Sequence, residues 1–203
     1  HTVPKSSSLK SIASDGHVYG FKFSLDSIKK YKGRLEPELI GINNASTFSG
    51  FCKTHDNEIF SPLEKECFSG SEEQCFLLAY RAFSREFYTK IALANMQGIN
   101  SKLDKGKPKY KQIEIQEDAS LMNFGAELGV RDNEYHKRYF DTCLESANFG
   151  DVRALIFEFS VPPPVMVSGA VNPDFDFKGN KIQDLSDFDE IPDMLSVTSF
   201  SDG

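Results

Sequence analysis

The chain has 203 residues, of which 39% are hydrophobic and 26% charged, and carries a formal net charge of −7. That is too apolar for a disordered chain and long enough for a sizeable core, one rich in Phe because there are 18 Phe and no Trp. The acidic balance argues against a broad electrostatic nucleic-acid surface, and no apolar run approaches bilayer-spanning length.

A soluble, cytoplasmic protein with no membrane partner is therefore expected. The four cysteines, Cys52, Cys67, Cys75 and Cys143, are few for a disulfide framework. They point to reduced thiols or a metal knuckle. The chain opens on His1-Thr-Val-Pro4 without a methionine, and both ends are expected to be cut points.

In chain order, Leu9-Lys-Ser-Ile12-Ala13 reads as a short helical run stopped by Asp15-Gly16. Residues 17–23, beginning at His17, alternate like a strand. Residues 24–37 are polar, with Gly33 and Pro37 as breakers, and Glu38-Leu-Ile-Gly-Ile42 is a second short strand. Asn43-Asn44-Ala-Ser marks a turn.

Ser71-Glu-Glu-Gln74 is a capping-box signature: the Ser hydroxyl accepts the Gln74 amide, and the Gln74 side chain is expected to reach back. Behind it Phe76, Tyr80, Phe83, Phe87 and Ile91 form one apolar stripe on a helix of about 25 residues. Residues 101–109 form a Lys/Gly/Pro linker. A second long helix spans about 110–147, with Gly125 and Gly129 expected to bend or divide it. The short linker predicts an antiparallel helix pair.

Residues 152–159 have high β-propensity and predict a strand, interrupted by Pro162-Pro163-Pro164. Residues 165–171 and 194–200 predict further strands, and residues 176–182 a hairpin around Lys178-Gly179-Asn180. The expected class is α+β: an N-terminal zinc-knuckle-like segment, two long central helices and a C-terminal antiparallel sheet. Two parts are expected, residues 1–66 and residues 67–203.

The densest chemistry lies in Phe48-Ser-Gly-Phe-Cys52-Lys-Thr-His55-Asp56-Asn57. Two residues between Cys52 and His55 let one tight turn offer a thiolate and an imidazole to one zinc ion, with Gly50 easing the turn. Cys67 and then Cys75 are the nearest further ligands, and neither makes a second pair at that spacing. A packed Cys beside a hydrogen-bonded His is the plainer alternative. His17 and His136 read as structural or solvated, and Tyr80 and Arg81 as packing residues. The acidic residues at 184–193 lack the alternation and central Gly of a calcium loop. No phosphate-loop, dinucleotide, zincin or hydrolase motif occurs. Lys102, Lys105, Lys107, Lys109 and Lys111 crowd one segment, which reads first as a solvated loop.

Together, His1 with Pro4, Asn43 or Asn44, the Cys52/His55 pair and Asp56 resemble the HNH (ββα-metal, treble-clef) endonuclease family over residues 1–60. The chain is also similar to a wider group of uncharacterised bacterial proteins around residues 40–48, the Gly-Phe-Cys-x2-His-Asp core and residues 77–82. The HNH resemblance implies that His1, at the end of a strand, is the general base, with Asn44 orienting it. It implies that Cys52 and His55 hold a structural zinc, and that Asp56 binds a catalytic Mg2+ or Mn2+. It implies DNA as the partner and a setting in bacterial defence or mobile elements. A non-catalytic binding or assembly module, docking a protein partner around a structural Cys/His knuckle, is the competing expectation.

Overall fold

The computed structural model describes residues 1–21, 27, 30–31, 34–95, 102–161 and 163–201, with Ser6 and Ser7 described in backbone only. The expected strand residues 22–23, the breaker Gly33, residue 101 of the linker and Pro162 lie outside these. The protein is α+β, with two long central helices and a small C-terminal sheet. It folds as two compact units. One comprises His1–Leu78, Arg153–Ser168 and Val197–Gly203; the other comprises Ala79–Val152 and Gly169–Ser196. Among the described residues, no helix is long and apolar enough to cross a membrane.

In the first unit the chain starts with a π-type turn, Lys5–Leu9, closed by the Leu9 amide on the Pro4 carbonyl (3.0 Å). One turn of helix follows, α1 (Lys10–Ile12). Asp15 and Gly16 both take positive φ, 48° and 72°, and turn the chain into β1 (His17–Phe21). Glycine accepts that region without penalty, while the helix has already ended at Ile12, with Ala13 extended. β1 pairs antiparallel with β2 (Pro37–Gly41), Val18 opposite Ile40 and Tyr19 opposite Leu39. The alternation works as a half-buried strand requires: Val18 is 6% exposed and Tyr19 76%. Val18 joins Val3, Leu9 and Ala45 in a small core, against which Ile12, Ile40, Ile42 and Met166 pack.

After β2 a turn is closed by the Asn44 and Ala45 amides on the Gly41 carbonyl (2.8 and 3.1 Å). Two short helices come next, α2 (Lys53–Ile59) and α3 (Ser61–Lys65). Phe60, fully buried between them, meets Phe51 edge-on at 5.3 Å.

The long helices are α4 (Glu72–Ala94) and α5 (Lys109–Ser146). Ser71 caps α4 as expected, its hydroxyl accepting the Gln74 amide (3.2 Å). The Gln74 side chain reaches back beyond Ser71: its oxygen accepts from the Ser69 amide (2.8 Å), and its nitrogen donates to the carbonyls of Pro62, in α3, and Cys67. Within the second unit the two helices run antiparallel. Tyr80 donates to Asp141 (3.1 Å), Phe83 stacks on Phe140 at 5.0 Å, and Lys90 lies against Gly129. α5 is not divided at Gly125 or Gly129, and ends at Ala147, whose φ of 51° lets its amide reach the Cys143 and Leu144 carbonyls.

The expected strand over 152–159 does not form: no strand is present there, and Leu155, Phe157 and Phe159 are 88%, 76% and 73% exposed. β-propensity describes fitness for a pleated surface, while a strand needs a neighbour for its ladder. The sheet that does form pairs β3 (Ser168–Val171) with β4 (Leu195–Thr198). The hairpin expected at 176–182 is reduced to a turn. The Asp176 carboxylate accepts the Lys178 and Asn180 amides (2.8 Å each), Gly179 has φ of 84°, and a single bridge joins Phe175 to Lys181.

Candidate functional site

The residues singled out from the sequence gather at two foci in the first unit. The first is His1. Its segment is laced to the turn after β2: the Thr2 amide donates to the Ser46 carbonyl (2.8 Å), and the Ser46 hydroxyl donates to the Val3 carbonyl (3.2 Å). His1 Nδ1 meets the Ala45 carbonyl at 2.8 Å. A carbonyl only accepts, so Nδ1 carries the proton, and a neutral ring then holds its lone pair on Nε2.

A π-type turn, Lys5–Leu9, follows the His1 segment. The contact that orients it is a backbone carbonyl in the loop where the resemblance places an asparagine. Asn44 itself is exposed, with its carbonyl accepting the Thr47 hydroxyl (2.9 Å).

The second focus is the start of α2. Cys52 is the residue before the helix, with an extended backbone, and His55 lies on the first turn. Their spacing brings Sγ and Nδ1 to 3.5 Å, both side chains exposed. Gly50 is required just ahead of them, because a Cβ there would overlap the Phe48 ring. Asp56 follows on the helix, half-buried, its amide bonded to the Cys52 carbonyl (2.9 Å).

A structural zinc takes four ligands, and this couplet offers two. Cys67 is exposed; Cys75 points its thiol at the Gly70 carbonyl (3.7 Å), and burial pushes that thiol's pKa up, away from the thiolate a metal needs. Among the described residues no three His, Cys, Asp or Glu side chains are grouped to hold a metal ion.

A third feature is poorly visible in the sequence. At the start of α5 an open cleft of about 620 Å³ is lined by Asp104, Lys109, Gln112, Ile113, Gln116, Glu117 and Ser120. The spacing of Gln112, Gln116 and Ser120, four residues apart, was the available signal, since it places all three on one helix face.

No family model, curated protein or solved structure matches the chain.

Proposed function

We propose that this chain acts on nucleic acid as an HNH-like phosphodiesterase working in the cytoplasm, with His1 as its general base. The observation that supports this reading is the Nδ1 bond to the Ala45 carbonyl at 2.8 Å. A base has to be held in one tautomer and one orientation, and this bond sets both. In the reaction a water proton passes to Nε2 while the water oxygen bonds to phosphorus. The bond to the leaving oxygen breaks, and that oxygen takes its proton from solvent. The chain order of hairpin, loop and helix, β1–β2–α2, also agrees with a ββα arrangement.

The test is plasmid nicking with Mg2+ or Mn2+ supplied, comparing the parent protein with His1→Ala and Asp56→Ala. Loss of the base should slow nicking about a hundredfold or more. Undiminished nicking by both variants overturns the proposal.

A second reading, a non-catalytic module that docks a protein, is favoured by the exposed apolar residues Leu155, Phe157 and Phe159. The absence of cleavage across DNA and RNA substrates by the parent protein would favour it.

A further inference from the structure

We propose that the lysine-rich turn and the first two turns of α5 form a binding site for single-stranded nucleic acid, on residues separate from those around His1 and independent of whether the chain cuts. Residues 102–111 hold five lysines and one aspartate, a local charge of +4 in a chain of net −7. A polyanion is repelled by most of such a molecule and drawn to this place.

The lysines are carried on built structure. The Lys107 amide donates to the Asp104 carbonyl (3.0 Å), and Gly106 supplies the positive φ of 78° that the turn requires. The Gln112 side chain donates to the Lys107 carbonyl (2.8 Å), fixing the turn to the helix. All five lysines are exposed. Lys111 has an ion pair with Glu114 at 2.8 Å, an exposed pairing of the sort that yields readily to a phosphate.

Two neighbours narrow the ligand class. Tyr110 lies between Lys109 and Lys111 with 68% of its surface exposed, and an aromatic ring among lysines is a platform on which an unpaired base stacks. The cleft alongside, about 620 Å³, falls in the size range of small-ligand sites. Its amides and hydroxyl match the polar edges of a base, and the Glu117 carboxylate accepts from an exocyclic amine. Bases within a duplex are stacked and cannot enter such a cleft, whereas a splayed single strand presents them. A lipid bilayer gains nothing from a cleft lined with amides and the two carboxylates of Asp104 and Glu117.

Fluorescence anisotropy with a short labelled oligonucleotide, DNA or RNA, tests the site. EDTA is present, so binding is read apart from cleavage. The parent protein should bind the single strand more tightly than a duplex of the same sequence. The triple change Lys105→Gln, Lys107→Gln, Lys109→Gln should weaken binding tenfold or more. It should also flatten the slope of log K against log salt by about 2, near 0.7 for each phosphate that no longer meets a lysine. Tyr110→Ala should weaken binding about tenfold. Circular dichroism of each variant should match the parent, these side chains being exposed. Equal affinity in parent and triple variant overturns the proposal. So does capture by phosphatidylserine vesicles without capture of the oligonucleotide. Nicking by a parent protein whose affinity equals that of the triple variant would leave the His1 reading standing while the binding site fails; binding lost in the triple variant, with no nicking by the parent, would do the reverse.

Discussion

Gln74 is 3% exposed and uses both ends of its amide. Its oxygen accepts from the Ser69 amide and hydroxyl (2.8 and 3.0 Å), and its nitrogen donates to the Pro62 and Cys67 carbonyls (3.2 and 3.1 Å). One side chain thus holds the loop that delivers the chain into α4. Removing it breaks these hydrogen bonds together, so Gln74→Ala should lower stability by about 2 kcal/mol, read as a fall in the urea midpoint at unchanged slope. Ser71→Ala should cost about 1 kcal/mol, because it removes one capping bond. If both variants lose the same amount, the staple is no more than a cap. The pattern Ser-x-x-Gln revealed the cap but not the staple. A capping box is local, whereas the loop carbonyls compete for the same amide and are nameless in a sequence. His1 is a parallel case. Its residue type was legible, but its partner is the backbone of Ala45, which any residue would supply equally well.

At the scale of elements, the apolar stripe on α4 was legible in its first half, where Phe76, Tyr80 and Phe83 are 0%, 2% and 0% exposed; its far end, Ile91, is 38% exposed, and Leu77, Arg81 and Ala82 beside the stripe are buried as well. The glycines of α5 misled, since propensity is a weak term, about 1 kcal/mol per glycine, against the packing of a long helix. Ala119, Ala126, Asn133 and Cys143 are buried along α5, so packing extends to both sides of Gly125 and Gly129. The two glycines are not equivalent. A Cβ at Gly129 would meet Lys90 Cδ at 3.3 Å, while one at Gly125 would meet nothing within 4 Å. Gly125→Ala should therefore stabilise the protein by about 0.5–1 kcal/mol, and Gly129→Ala by less, because Lys90 must shift. Paired thermal melts check this, and a Gly125→Ala variant that melts lower than the parent would show a hinge at that point of the helix. The absent strand at 152–159 has a different cause. Side chains state that they want cover, but a ladder depends on a second segment that local sequence does not identify.

At the scale of the whole molecule, the chain crosses between its two units at Leu78/Ala79, Val152/Arg153, Ser168/Gly169 and Ser196/Val197. The first crossing falls inside α4, so no single cut of the chain releases either unit whole. The first unit is completed by pieces distant in sequence. Met166 packs on the core of Val3, Leu9, Val18 and Ala45. Phe200 meets Phe68 edge-on at 4.8 Å, and the Ser201 amide donates to the hydroxyl of Ser8, itself fully buried (2.8 Å). Periodicity could not reveal this closure, because a hydrophobic pattern shows which face wants burial and not which stretch of chain supplies it. The consequence is testable by amide exchange. Phe200→Ala removes an aromatic pair worth about 1 kcal/mol beyond its buried area. Exchange should then quicken in β1 and β2, at least 159 residues away in sequence from the substitution (200 − 41), while the Tyr80–Asp141 region of the second unit keeps its protection. Unchanged exchange in the hairpin would place the closing segment outside the first unit's cooperative fold. Uniform quickening of both regions would mean that the two units unfold as one.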